Sequence, residues 1–132
     1  EVGHLEEILD VGTVGRVTPH LEVKVVDTAT GATVTRGTPG EFCTRGYSVM
    51  AGYWNRPEDT AAALRNGWLH SGDIGRMDDD GYVYIVDRVK DMINVSGFKV
   101  WPAEVEQYLY KLPAVREVAV YGVADPVTGE QV

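Results

Sequence analysis

The chain has 132 residues, a size for one domain or two small ones, and its 44% hydrophobic and 24% charged residues exclude wholesale disorder. Twelve basic against 20 acidic side chains leave a net charge of −8 and no basic block, which excludes general nucleic-acid binding through phosphates. A single cysteine, Cys43, excludes an internal disulfide or a CxxC zinc site, and no apolar run approaches the roughly 20 residues that span a bilayer.

Residues 1–10 carry acids where a secretion signal would carry positive charge and an apolar stretch, so a cytoplasmic location is expected. Residues 1–17 are weakly patterned, and 1–11 are expected to be frayed or disordered. Leu21, Val23 and Val25 then alternate with Glu22 and Lys24, the period-two pattern of a strand with one buried face. Asp27-Thr-Ala-Thr-Gly31 and Thr38-Pro-Gly40 read as turns, with a strand over 41–45. After a loop at 46–54, Pro57 suits the first position of a helix, and Glu58 and Asp59 suit the positive end of its dipole. The helix is predicted to run through 60–65, with Asn66-Gly67 as its C-terminal stop. Residues 68–76 lead into the polar turn Asp78-Asp79-Asp80-Gly81, and 82–86 are strongly β-prone.

After Arg88 the pattern changes. Two short strands, 92–95 and 98–100, flank Ser96-Gly97. Pro102 opens a helix with Val105, Leu109 and Leu112 on one face, Pro113 closes it, and 118–123 reads as a buried strand. The prediction is an α+β chain in two parts. Residues 1–87 form a small antiparallel β-barrel or sheet subdomain, and residues 88–132 a hinge and the first part of an α+β domain that reads as truncated.

The chain has no GxxxxGK[ST] loop, no GxGxxG after a strand and no GxSxG elbow. His4, His20 and His70 lack metal-type spacing, so no metal site is expected, and Cys43 reads as a small buried hydrophobe. Two segments stand out. In Gly67-Trp-Leu-His-Ser-Gly-Asp-Ile-Gly75, Asp73 either caps a turn, the reading that spacing alone favours, or accepts two hydrogen bonds from a ribose diol. In the charged stretch from Asp87 to Lys99, Arg88 can offer a planar fork to a ribose or phosphate oxygen. Lys90 and Asp91 suit a solvated hinge, and Gly97 suits a bulge or a close backbone approach. A solvated linker with local ion pairs is the plainer reading of the same charges. Gly52-Tyr-Trp-Asn-Arg-Pro-Glu-Asp-Thr60 is read as a loop anchored by its aromatics rather than as a ligand wall beside Arg56.

Taken together and in this order, these segments resemble the adenylate-forming superfamily of AMP-binding enzymes. That group includes acyl- and aryl-CoA synthetases, peptide-synthetase adenylation domains and firefly luciferase. The resemblance runs from Gly12-Thr-Val-Gly15 through GYWNRPEDT, GWLHSGDIGRMDDDGYVYIVDRVKD and NVSGFKVWPAEVE to GVADPVTGEQV. It implies that Asp73 binds the ribose hydroxyls of ATP and of an acyl-adenylate, that Arg88 contacts the same ribose, and that Ile85 packs near the nucleoside. It implies that Lys90 is the hinge of a rotating C-terminal domain, and that Ser96 and Gly97 approach the pantetheine tunnel with Lys99 nearby.

The resemblance also implies ATP, Mg²⁺ and CoA as cofactors of a full-length enzyme, a small carboxylic acid as substrate, and none of them bound to this chain alone. The family's phosphate loop, its Tyr-Gly-x-Thr-Glu segment and most of the acyl pocket are missing. Its catalytic lysine is expected beyond Val132, since neither Lys99 nor Lys111 sits in that motif, so no catalytic residue is expected here. The best match is to fatty-acid-type acyl-CoA synthetases, in which this segment alone would be inactive. Alternatives are an enzyme that loads a carrier protein, or a stand-alone binding module. Surface exposed by truncation would favour self-association.

Overall fold

The computed structural model of the chain describes residues 12–132, so the expectation of a frayed 1–11 lies outside the described residues. The chain divides into two compact units, the first ending at Ile85 and the second spanning Val86–Val132. No helix among the described residues is long and apolar enough to cross a membrane.

The first unit holds β1 (Gly15–Arg16), β2 (Leu21–Val26), β3 (Gly40–Gly46), α1 (Pro57–Ala63), β4 (Leu64–Arg65), β5 (Trp68–Met77) and most of β6 (Tyr82–Arg88). They build an antiparallel sheet in the order β1-β6-β5-β3-β2, with β4 paired to β5. Val25, Val26, Cys43, Ile74 and Val83 are its buried apolar residues. The sheet packs closely at Gly40, where any side chain would run into the Val26 carbonyl. The β2–β3 connection begins with an Asx turn: Asp27 Oδ1 accepts from the N–H groups of Ala29 and Thr30 at 3.0 and 2.8 Å.

Pro57 opens α1, as expected, but the helix stops at Ala63. Leu64 and Arg65 pair with Leu69 and Trp68, and Asn66 and Gly67, with φ of 52° and 78°, form the two-residue turn between them. Asn-Gly is the preferred pair for such a type I′ hairpin, so the dipeptide expected to end a helix instead reverses a strand. The preceding loop also differs from expectation. Trp54 is 89% exposed and anchors nothing. The loop is held instead by Thr60, whose hydroxyl accepts from the Tyr53 N–H at 2.9 Å and donates to the Arg56 carbonyl at 2.8 Å.

The second unit holds a 3₁₀ turn (Val89–Asp91), β7 (Ile93–Val95), β8 (Phe98–Val100), α2 (Pro102–Leu109), β9 (Val123–Asp125) and β10 (Gly129–Gln131). Its sheet runs β8-β7-β10-β9 around Ile93, which is 1% exposed. Asp125 repeats the device of Asp27: its Oδ1 accepts from the Val127 and Thr128 N–H groups and the Thr128 hydroxyl, and these bonds hold its carboxyl below the usual carboxylate range. The N-terminus of α2 is capped from a distance. Trp101 makes no side-chain cap, and Asp87 Oδ2 accepts from the Ala103 N–H at 3.0 Å.

The strand expected over 118–123 does not form as such. Val120 donates its N–H to Glu106 Oε1 at 2.8 Å and Val118 to the Tyr110 hydroxyl at 3.4 Å, so side chains on and just after α2 take the donors a ladder would use. Regular pairing begins only at Val123.

Candidate functional site

The Ser71-Gly72-Asp73 segment sits inside β5, and the strand register shows what it does. Glu41 of β3 faces Ile74 and Cys43 faces His70, so three residues of β5 stand opposite the single residue Phe42. This is an enlarged β-bulge, the kind of irregularity that re-aims a side chain. Gly72 takes φ of +74°, which glycine adopts without penalty. Ser71 Oγ accepts from the Asp73 N–H at 3.1 Å, tightening the turn that carries the carboxylate. Asp73 is half-buried, and Gly75, two residues on, lies against Tyr84 and Ile85 of the neighbouring β6. Ile85 is itself exposed. The bulge and Ile85 therefore lie on adjacent strands of the first unit.

A carboxylate the sequence analysis did not single out lies behind the bulge. Glu41 is 9% exposed. Its Oε2 accepts from His70 Nδ1 at 2.7 Å and pairs with Arg65 at 3.2 Å, while Oε1 accepts from the Gly72 N–H at 3.3 Å. A signal for it was present: in a strand, residues 41 and 43 share a face, so a buried Cys43 implies a buried Glu41.

Cys43 is fully buried, as expected, with Sγ 3.3 Å from His70 Nδ1. Burial, reinforced by the Glu41 charge, pushes the thiol up to about 11, so it is neither a thiolate nor a nucleophile at neutral pH. Glu41, Cys43 and His70 form a group whose potential ligand atoms lie within 4.8 Å of one another. The Glu41 carboxylate of this group is already taken by the Arg65 guanidinium, His70 and the Gly72 N–H. A cleft of about 450 Å³ opens on the α1 side, walled by Asp59, Ala63, Arg65 and His70; its lining reaches Gly72 and stops before Asp73.

The remaining candidates belong to the second unit. Arg88 ends β6 and is exposed, and Lys90 is exposed in the 3₁₀ turn. Ser96 and Gly97, with φ of 50° and 88°, are the two-residue type I′ turn joining β7 to β8, so Gly97 is a hairpin position rather than a bulge. Asn94 Oδ1 accepts from the Gly97 N–H at 2.9 Å and the Ser96 N–H donates to the Thr128 carbonyl at 2.8 Å. Nothing lies within 4 Å of the position a Gly97 side chain would take, so the turn presents open backbone. Lys99 stands exposed on β8, opposite Asn94.

Comparison with known proteins agrees with the motifs. The family model "AMP-binding enzyme" matches residues 3–54, and "AMP-binding enzyme C-terminal domain" matches residues 104–132. The chain belongs to the adenylate-forming family of AMP-binding enzymes. It is 50% identical over 121 residues to a long-chain-fatty-acid–CoA ligase of Escherichia coli O157:H7, covering 92% of this chain and 21% of that protein. Among solved structures it is similar to the amide bond synthetase McbA of Marinactinospora thermotolerans, with TM-score 0.78 and 44% identity over 90% of this chain and 24% of that one. It is also similar to o-succinylbenzoate CoA synthetase of Bacillus subtilis in complex with its acyl-adenylate intermediate, with TM-score 0.78 and 35% identity over 94% and 25%. The chain thus spans about a fifth of the length of the curated relative and a quarter of each solved chain.

Proposed function

We propose that this chain is the ribose-binding, hinge and lid segment of a cytoplasmic fatty-acid-type acyl-CoA synthetase. The whole enzyme would join a carboxylic acid to ATP, giving an acyl-adenylate and pyrophosphate, and pass the acyl group to CoA with release of AMP. The observation that carries the proposal is the Ser71-Gly72-Asp73 bulge, which offers a half-buried carboxylate on a fixed turn in a chain that is 50% identical over 121 residues to a long-chain-fatty-acid–CoA ligase.

In this reading the Asp73 carboxylate accepts hydrogen bonds from both ribose hydroxyls, and the Arg88 guanidinium donates to the same sugar. Ile85 supplies apolar surface beside the nucleoside. A carboxylate suits a diol, so Asp73 fits a nucleoside ribose. ATP supplies the adenylyl group that activates the acid, and Mg²⁺ offsets phosphate charge; no residue of this chain is assigned to the metal. Lys90 is the pivot between half-reactions, and the Ser96-Gly97 turn, flanked by Lys99, lines the approach of the acceptor thiol. No residue of this chain is assigned to the phosphates, and in this reading the segment alone is inactive in adenylation.

The likeness to an amide bond synthetase supports a second reading, in which the acyl-adenylate is delivered to an acceptor other than CoA. Product analysis on the full-length enzyme separates the two. With fatty acid and ATP, the first reading predicts thioester only when CoA is supplied. Amide formed from an amine, or acyl-loaded carrier protein, with no acyl-CoA, would establish the second.

A further inference from the structure

We infer that Glu41 is a positioning residue for the ribose contact: its buried carboxylate holds the Ser71-Gly72-Asp73 bulge in the shape that aims Asp73. The inference rests on the ribose reading of Asp73 and assigns the support behind it.

Three residues opposite one cannot all enter the strand ladder, so the bulge must find its hydrogen bonds elsewhere. Glu41 supplies them on both sides. Its backbone faces Ile74, the residue just after Asp73. Its side chain accepts from His70 Nδ1, the residue just before the bulge, at 2.7 Å and from the Gly72 N–H in the middle at 3.3 Å. One residue therefore brackets Asp73 from both directions. A carboxylate cannot donate, so the short contact fixes the Nδ1 proton of His70 toward Glu41 and orients the imidazole.

The pair sits where water does not compete, with side chains only 12% and 15% exposed, whereas Arg65 at 51% is a screened partner. A slip of one residue in β5 would turn Asp73 to the opposite face of the sheet. The two Glu41 bonds, together with the left-handed Gly72, oppose that slip. The apolar neighbour on this face, Cys43, shows that position 41 borders core, where an apolar side chain would pack without the cost of desolvating a charge. A buried acid there, with its bonds spent on the bulge, points to the bulge as its purpose.

The test compares ATP with 2′,3′-dideoxy-ATP, which lacks both hydroxyls, in the adenylation reaction of the full-length enzyme. The readout is the ratio of kcat/KM for the two nucleotides, because a merely structural role lowers both rates together and leaves the ratio alone. Asp73→Ala is measured in parallel. The inference predicts that Glu41→Gln lowers the ratio about tenfold or more, as the loss of a well-placed charged hydrogen bond would. Glu41→Asp, one methylene shorter, is expected to do the same and serves should the amide variant not fold. If Asp73→Ala abolishes discrimination while both Glu41 variants keep the wild-type ratio, the positioning role is overturned and the ribose contact stands. If Asp73→Ala itself keeps the wild-type ratio, the ribose reading fails and this inference fails with it.

Discussion

Cys43 and Glu41 show how the same strand can hold one residue that chemistry cannot use and one that it can. The thiol is sealed in the core, and its proton is held by burial and by the neighbouring carboxylate. Its value is raised from 9.0 to about 11. A raised value means that the folded state favours the protonated thiol. Its stabilising contribution is therefore complete below pH 9, and it is lost as the pH climbs toward about 11. The expected outcome is that a thiol-reactive probe leaves Cys43 untouched in native protein at pH 8 and labels it fully in guanidinium. Rapid labelling at pH 8 without denaturant would show an accessible or ionised thiol. The small buried hydrophobe was legible in the sequence, but the group around it was not. His70 lies 27 residues away and meets Cys43 only because β3 and β5 pair, and the bulge in that pairing decides which residues meet.

At the scale of the element, local chemistry was legible wherever a turn or a proline dictates it. Pro57 and Pro102 open α1 and α2, and the Asp27 and Asp125 turns close by side-chain acceptance from their own backbone. Ser96-Gly97 joins two strands where the sequence placed them. Asn66-Gly67 was misread because the same left-handed preference serves a helix C-cap and a type I′ hairpin, and only the pairing of Arg65 with Trp68 decides between them. The 118–123 segment differs from its reading because its short apolar run is that of a buried strand, while side chains on and just after α2 capture its donors. The most consequential long-range device is the cap that Asp87 places on α2. Asp87→Ala should cost about 0.5–2 kcal/mol, the usual value of an N-terminal cap. Hydrogen exchange reads it locally: the Ala103 and Glu104 amides should exchange faster, while amides of β3 and β5 keep their protection. Unchanged exchange at Ala103 would show that the cap contributes nothing.

At the scale of the whole chain, the division between the two compact units falls within β6, two residues before the boundary read from the sequence. Asp87 explains the difference, because its carboxylate serves the second unit's helix. The 3₁₀ turn that carries Lys90 begins two residues after Asp87 and has no buried residue, so a change of its backbone angles disturbs no core. Proline fixes φ and restricts the residue before it. Lys90→Pro in the full-length enzyme should therefore leave pyrophosphate exchange within about twofold of wild type and depress thioester formation by about tenfold or more, as expected when a gating motion is blocked. Equal loss of both half-reactions would contradict a hinge.

The ribose contact is the claim on which the functional account depends, and one measurement addresses it directly. ATP–pyrophosphate exchange, followed against ATP concentration in full-length Asp73→Ala, isolates nucleotide binding from acyl transfer. Losing two charge-assisted hydrogen bonds of about 1.5–3 kcal/mol each should raise the KM for ATP about a hundredfold or more, with the KM for the acid little changed. An ATP dependence identical to that of the wild type would contradict the account.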